Sequence, residues 1–466
     1  MSSQQASYVV IGAGPVGLLA ALGLAKRGHS VTVYEGRESL DQRREESYPI
    51  GVNLRGIRAL RDVGGSILAS RVEDHGEIID SFDIYSGKRR VAQAVAGTIR
   101  SQTRFAVTKA IYDECVAFEA SKGPESKGGV RVVFGKKLDR FEVVEDGTTA
   151  GRLHFSDQVV DLPVGVRVVA ADGGGSIVRR CFVEATKGKE NEIKETLVPW
   201  NVSFRVMFCD KSPLSYLDPK IHYIMSGVYV AVSGSSSDPW TFALSCRPGA
   251  PHHDLFHLHT DSPTPAQIEE LRAHLRKACP LTAERLDDHI SEEELRAFFG
   301  RRIFTGNLVH ISRCDYNGWV VMLGDAAHAL FPPTGEGINS GLDDVHALMS
   351  AIDATSSGAS VSPFSHYATN RQPSVDALHS IARDIWLSQS GSTADKIVSM
   401  GSNILFNVFS HDKSKPTEAE LRYGPPAKDA LLEYPEVWKR HLENVGGYRR
   451  ALRWIAAPFG HVTADQ

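Results

Sequence analysis

The sequence predicts an α/β protein: a Rossmann-type dinucleotide-binding domain, an antiparallel sheet inserted into it, and a helical C-terminal region. Three observations carry this prediction. Residues 8–11, 16–26 and 31–34 read as strand, helix and strand, with glycines closing the first strand, which is the β-α-β opening of a doubly wound sheet. From about Asn201 to Leu244 the pattern changes to short apolar runs, at 202–208, 221–232 and 240–244, broken by turn residues as an antiparallel sheet requires. Beyond Gly341 the apolar residues take helical spacing over 345–352 and 374–386. Between these landmarks, residues 121–129 are rich in Gly, Ser and Lys and read as a surface loop, and 319–323 reads as a further buried strand.

Composition bounds what the chain does. At 466 residues it has room for two or three domains of roughly 150 residues and for a buried cofactor. A net charge of −4 gives no electrostatic attraction to nucleic acid, which is excluded as an expected partner. Cys115, Cys181, Cys209, Cys246, Cys279 and Cys314 are scattered and never fall in C-x-x-C spacing, so they read as reduced thiols rather than a disulfide framework. The polar residues 1–5 run straight into a strand with no secretory pattern, and no apolar run approaches the ~18 residues of a membrane span. The expectation is a cytoplasmic protein with no transmembrane segment.

Gly12, Gly14 and Gly17 stand in G-x-G-x-x-G spacing after the first strand, where bare backbone lets a pyrophosphate approach the positive end of the next helix. Glu35, 21 residues past Gly14, ends the second strand, where a carboxylate accepts hydrogen bonds from an adenosine ribose. A turn without ligand would need the glycines but not the acid, so a dinucleotide is favoured. Two later segments bear on which one. Residues 168–171 lead into Asp172, Gly173, Ser176 and Arg179, and residues 319–323 lead into Gly324, Asp325, Ala326, Ala327 and His328.

With these three motifs the chain resembles the class A flavoprotein monooxygenases, whose D-G-x-x-S-x-x-R and G-D-A-A-H segments follow strands in the same order. The resemblance implies bound FAD, with Asp325 on the ribityl chain and the stretch of Pro332, Gly335, Gly337 and Asn339 wrapped around the isoalloxazine. Glu336 stands where the family usually carries Gln. Asp172 is a cofactor contact or, with Arg179, a structural salt bridge closing a turn; His328 reads as a packed residue rather than a proton shuttle. Arg43 and Arg44 are candidates for phosphate contacts with FAD or incoming NAD(P)H, against a merely solvated basic loop. The implied organisation is an FAD-binding domain of residues 1–80, 100–182 and 300–355, a substrate domain of 81–99 and 183–299, and a helical region of 356–466.

Within that family the chain is similar to the kynurenine 3-monooxygenase branch, through residues 51–60 (GVNLRGIRAL), Ser101 and Gln102, and Arg371, Gln372 and Pro373 before Asp376 and Ala377. The substrate residues of that branch do not carry over. Its carboxylate-clamping Arg falls near Asp80 or Ser81, its Tyr meets Thr103, and its Asn meets about Ile385. Fold and flavin chemistry are therefore carried over, and kynurenine is not.

That chemistry implies reduction of FAD by NAD(P)H and reaction with O2, a flavin C4a-hydroperoxide then hydroxylating or epoxidising an aromatic or polycyclic small molecule, as in secondary metabolism. An FAD oxidase or dehydrogenase is the rival enzyme; a flavin-binding protein without turnover is the rival from another class, against which the intact glycines and Asp325 argue. No second glycine motif follows a strand, which fits transient NAD(P)H binding. Phe204, Tyr223, Tyr229 and Trp240 are candidates for the substrate wall, and Arg205, alone on an apolar strand, is the candidate catalytic or polar substrate contact; alternating core and a surface position are the rivals. His252, His253, His257 and His259 lack a convincing ligand set, so no metal is expected. The basic, aromatic segment 434–455 is expected to pack on the catalytic body rather than on a membrane surface.

Overall fold

The computed structural model describes residues 6–40, 47–123, 126–144, 146–209, 216–235, 238–355, 361–409, 415–423, 431–460 and 462–463. Its centre is a six-stranded sheet in the order Asp315–Tyr316, Val320–Met322, Arg167–Ala170, Ser7–Ile11, Ser30–Tyr34, Gly129–Val133. All neighbours are parallel except the first pair. Parallel strands are covered on both faces, which is why 8–11, 168–170 and 320–322 are continuously apolar rather than alternating. The Pro15–Lys26 helix, with Pro at its first turn, is apolar around most of its circumference because the sheet and the Arg104–Ala120 and Gly337–Thr355 helices enclose it.

The second sheet has seven strands in the order Ser203–Phe208, Trp240–Cys246, Val228–Val232, Ile221–Met225, Ile78–Ser86, Arg89–Thr103, Pro49–Val52. It corrects the antiparallel expectation in one place: Ile221–Met225 runs parallel to Ile78–Ser86, so the sheet is mixed. It also ignores the expected boundaries at 80/81 and 99/100. Pro49–Val52 pairs with Arg100–Thr103, and Ile78 and Ile79 pair with Arg100 and Ile99, because strands continue as far as their ladders are satisfied. One face carries Met207, Tyr223, Met225, Val230, Trp240 and Phe242 against the helices between 253 and 298. The other carries Phe204, Val206, Phe208, Tyr229 and Ala243 and faces the dinucleotide domain.

Two elements escaped the sequence pattern. Leu138–Val143, Thr149–Phe155 and Val159–Pro163 form a three-stranded antiparallel sheet, and Glu195–Pro199 pairs with Asn307–Ile311 to carry the chain into and out of the second sheet. The C-terminal region contains the Pro363–Ser390, Thr393–Phe409, Glu418–Tyr423 and Tyr434–Ala456 helices. Tyr434, Val437, Val445 and Leu452 bury one face of the last helix against the others, whereas Trp454, at its end, is 85% exposed. No described helix is long and apolar enough to cross a membrane.

Candidate FAD and substrate site

The three glycines divide their work. Gly12 has φ +99°, and a Cβ there would lie 2.4 Å from the Ala171 carbonyl oxygen, so only glycine makes this turn against the neighbouring strand. A Cβ on Gly17 would lie 2.0 Å from the Gly12 oxygen, so Gly17 seats the helix on the loop. At Gly14, by contrast, a Cβ would meet only the Arg104 Nη2, at 3.5 Å. The open side of the loop is therefore at Gly14, faced by a guanidinium, and the helix N-terminus behind it completes an anion cradle.

Glu35 is buried beside this loop. Its Oε2 accepts from the Ala13 amide at 2.6 Å, and its Oε1 accepts from the Arg37 amide and Nε at 3.0 and 2.9 Å. Burial works to raise its pKa, but the bonds from Arg37 and Ala13 outweigh it and hold the carboxyl below the ordinary range. Glu35 is thus a charged acceptor at the ribose end. The basic residue placed beside it is Arg37, which the sequence reading passed over; Arg43 and Arg44 lie outside the described residues.

Asp325 opens a short helix after the Val320–Met322 strand, and among the described residues nothing donates a hydrogen bond to its carboxylate. Next to it, Pro332–Thr334 forms a 3-10 turn closed by Gly335 in the left-handed region at φ +66°. Asn339 stitches this turn in place: its Nδ2 donates to the Gly51 and Gly335 carbonyls, each at 2.9 Å, and its Oδ1 accepts from the Asn53 amide at 2.9 Å. Its side chain shapes the turn rather than waiting for a ligand. The open Gly14 cradle, the charged Glu35 and the unengaged Asp325 carboxylate suit the pyrophosphate, ribose and ribityl parts of FAD.

Asp172 and Arg179 form no salt bridge with each other. The Asp172 Oδ2 caps the Ile177–Thr186 helix, accepting from the Ile177 and Val178 amides at 2.8 and 3.3 Å, while burial pushes its pKa up. Arg179 instead pairs with Glu195 and donates to the Gly174 and Ala326 carbonyls, tying the D-G-x-x-S-x-x-R segment to the start of the G-D-A-A-H helix. His328 is buried, with Nε2 on the Asp344 carboxylate at 2.7 Å. That carboxylate also accepts from the Gly324 amide and Arg371, each at 2.7 Å. Burial opposes its ionisation, but His328 and Arg371 draw the pKa down to about 2.

One face of the second sheet is aromatic. Phe204 and Phe304 stack with centroids 5.0 Å apart, Tyr48 meets both edge-on at 5.2 Å, and Trp200 bridges Phe204 and Phe331 at 6.0 Å each. Burial raises the Tyr48 pKa, and Arg104, Asp325 and Arg302 all lie within electrostatic reach of its hydroxyl, which links this wall to the cofactor residues. Farther along the same sheet face, Tyr229 hydrogen-bonds the His222 Nδ1, and Phe82 packs on both His222 and Tyr423. Burial pushes the His222 pKa down to about 3, so this end is neutral.

Several expectations are corrected by strand alternation. Phe204 and Tyr229 lie on the aromatic face of the sheet, but Tyr223 and Trp240 point into the helical layer. Arg205 is there too, fully buried, with Nη1 donating to the Leu258 and Phe298 carbonyls at 3.0 and 3.2 Å and its guanidinium 5.2 Å from the Phe298 ring. It holds helix ends, whose carbonyls lack intrahelical donors, and does not reach the cleft. Ser81 is likewise turned inward, bonded to Asp83, and the neighbour that faces the cleft is Phe82. Thr103 caps the Arg104–Ala120 helix, and Ile385 packs near Leu421 and Tyr434. His252 packs on His274 and His253 on His257, and among the described residues no group of three metal-ligating side chains forms.

Comparison with known proteins agrees with this geometry. Residues 5–382 match the family described as the FAD binding domain, and the chain belongs to that family. Within it, the chain is a class A FAD-dependent monooxygenase of the kynurenine 3-monooxygenase-like branch, with FAD as cofactor and NAD(P)H as co-substrate. It is 26% identical over 410 residues to kynurenine 3-monooxygenase of Candida albicans, covering 84% of this chain and 82% of that one. It is 29% identical over 377 residues to the Aspergillus fumigatus enzyme, covering 74% and 67%. Among solved structures, Pseudomonas aeruginosa PqsL in complex with 2-aminobenzoylacetate has the same fold with a TM-score of 0.59 at 20% identity, covering 83% and 96%. So has 2-methyl-3-hydroxypyridine-5-carboxylic acid oxygenase, at 0.63 and 18%, covering 93% and 100%.

Tyr48, Trp200, Phe304 and Arg104 were missed by the sequence reading. Arg104 had a signal, a lone Arg opening a helix after a strand; the aromatics, scattered between residues 48 and 304, had none.

Proposed function

We propose that this enzyme uses NAD(P)H and O2 to hydroxylate or epoxidise an aromatic or polycyclic small molecule without an amino-acid carboxylate. The observation that carries the reading is the cleft face itself: Tyr48, Trp200, Phe204 and Phe304 at one end, Phe82, His222 and Tyr229 at the other. A flat apolar substrate gains offset or edge contacts on such a wall. Held there, FAD would supply the redox chemistry, with NAD(P)H as reductant and O2 as oxidant. The chain's own residues do the rest. Gly12, Gly14, Gly17, Glu35, Arg37, Arg104 and Asp325 hold the cofactor, and Asp172 and Asn339 shape the segments around it. The wall excludes water and places the substrate, and the neutral His222–Tyr229 pair offers it a hydrogen bond rather than a charge. Cytoplasmic action on a diffusible substrate is part of the proposal.

The test is a screen of aromatic and polycyclic phenols and ketones for faster NADPH oxidation, with product mass. A product heavier by one oxygen atom supports the reading. Oxidation of substrate with stoichiometric hydrogen peroxide and no oxygen insertion identifies an oxidase and refutes it.

A further inference from the structure

Glu336, where the resemblance implies Gln, is fully buried inside the turn assigned to the flavin. Asn53 Nδ2 donates to it at 3.2 and 3.3 Å, the Tyr434 hydroxyl at 2.8 Å, and Arg422 Nη1 at 3.4 Å. Arg422, 3% exposed, also donates to the Thr334 carbonyl in the same turn and is held from behind by Glu418. A second buried guanidinium, Arg55, lies 4.2 Å from the Tyr434 ring and donates to the Leu432 carbonyl. A Gln at 336 would need no countercharge. A Glu does, and its cation comes from residue 422, beyond the stretch matched by the family profile. Burial pushes the Glu336 pKa up, with Arg422 and Arg55 pulling against it. The adjacent Tyr423 packs on Phe82 at the substrate end of the cleft.

We infer that the Glu418–Tyr423 helix is a working part of this chain's flavin site: Arg422 is a positioning residue that, through Glu336, holds the 332–337 turn in its cofactor-binding form. The inference rests on the reading that this turn wraps the flavin. Its physical basis is that removing one partner of a buried pair costs far more than removing both, because the survivor is left charged and unpaired. Local donors close the rest of the turn, the Thr334 amide to the Phe331 carbonyl and the Gly335 amide to that of Pro332, while Arg422 takes the Thr334 carbonyl and the Glu336 carboxylate is shared between Asn53 and the C-terminal Arg422 and Tyr434.

The experiment is a double-substitution cycle on the full chain, read by FAD dissociation constant, flavin absorption between about 400 and 500 nm, and apoprotein melting temperature. Arg422→Gln is expected to weaken FAD binding tenfold or more and shift the flavin bands. Glu336→Gln/Arg422→Gln is expected to return to within about threefold of Glu336→Gln alone, since no stranded carboxylate remains inside the turn, and Arg422→Lys to fall between parent and Arg422→Gln. Should Arg422→Gln prove insoluble, rescue of FAD affinity in the soluble double variant against Glu336→Gln still decides. A lowered melting temperature with parental FAD affinity and spectrum in Arg422→Gln makes the pair merely structural and overturns the inference. Gly335→Val separates this from failure of the underlying reading: it strains the same turn without touching Arg422, and if it too leaves FAD affinity and spectrum unchanged, the turn does not hold the flavin.

Discussion

Asp325→Ala is the substitution that tests the cofactor site most directly. In the structure this carboxylate is partly exposed, takes no hydrogen bond from any described residue, and is anchored through the backbone of a segment braced by Arg179 and Asp344. Its removal therefore leaves the scaffold standing and deletes only an acceptor. A hydrogen bond to a charged group contributes about 1.5–3 kcal/mol net, and each ~1.4 kcal/mol is tenfold in affinity, so FAD should bind about 10- to 100-fold more weakly. Asp172→Ala is the control. It removes the two helix-capping bonds to Ile177 and Val178, for which a loss of about 1 kcal/mol of stability is expected, with FAD affinity within a few-fold of the parent. Apoproteins titrated with FAD by fluorescence quenching, and melted separately, give both quantities. Equal FAD affinity in Asp325→Ala and the parent would refute the assignment of this acid to the ribityl chain.

Gly17→Ala should fail to yield folded protein or lose FAD altogether, because its Cβ would fall 2.0 Å from a backbone oxygen, whereas Gly14→Ala should fold and lose only FAD affinity; parallel melting and FAD titration check the contrast. Asp344, held at about 2 by His328 and Arg371, stabilises the native state by roughly 2–3 kcal/mol above the ordinary carboxylate pKa. A depressed acid pKa contributes fully above about pH 4 and is lost as pH falls toward 2, so melting temperature should drop through that window in the parent and less steeply in Asp344→Asn. Kynurenine should neither speed NADPH oxidation nor be hydroxylated, since the expected clamp position falls on Asp80 or on Ser81, which is turned inward onto Asp83; efficient, saturable 3-hydroxy product by mass would overturn the substrate reading. Phe204→Ala should raise KM for an accepted aromatic substrate several-fold while leaving FAD affinity unchanged, because the ring belongs to the wall and not to the cofactor residues.

The parts of this protein whose physics is local could be read from the residues alone. A strand closed by Gly12, Gly14 and Gly17, an acid ending the next strand, and an Asp after a buried strand each state their chemistry within a few residues, since strand, turn and helix N-terminus are consecutive. The departure at Glu336 was equally visible. Only the tertiary structure decided which of these groups are engaged and by what. Alternation put Arg205 on one face of a strand and Phe204 on the other, and only the packing of helices between 253 and 298 on one face revealed which side was cleft. The antiparallel reading failed at Ile221–Met225 because a parallel partner 140 residues earlier leaves no mark on either strand. Asp172 and Arg179 are close in sequence yet chose different partners, because helix-end amides and Glu195 were nearer to hand. The Glu336–Arg422 pair and the Tyr48–Phe204–Phe304 wall join residues far apart in the chain. A countercharge or an aromatic neighbour is selected by proximity after folding, and that proximity is a property of the whole chain.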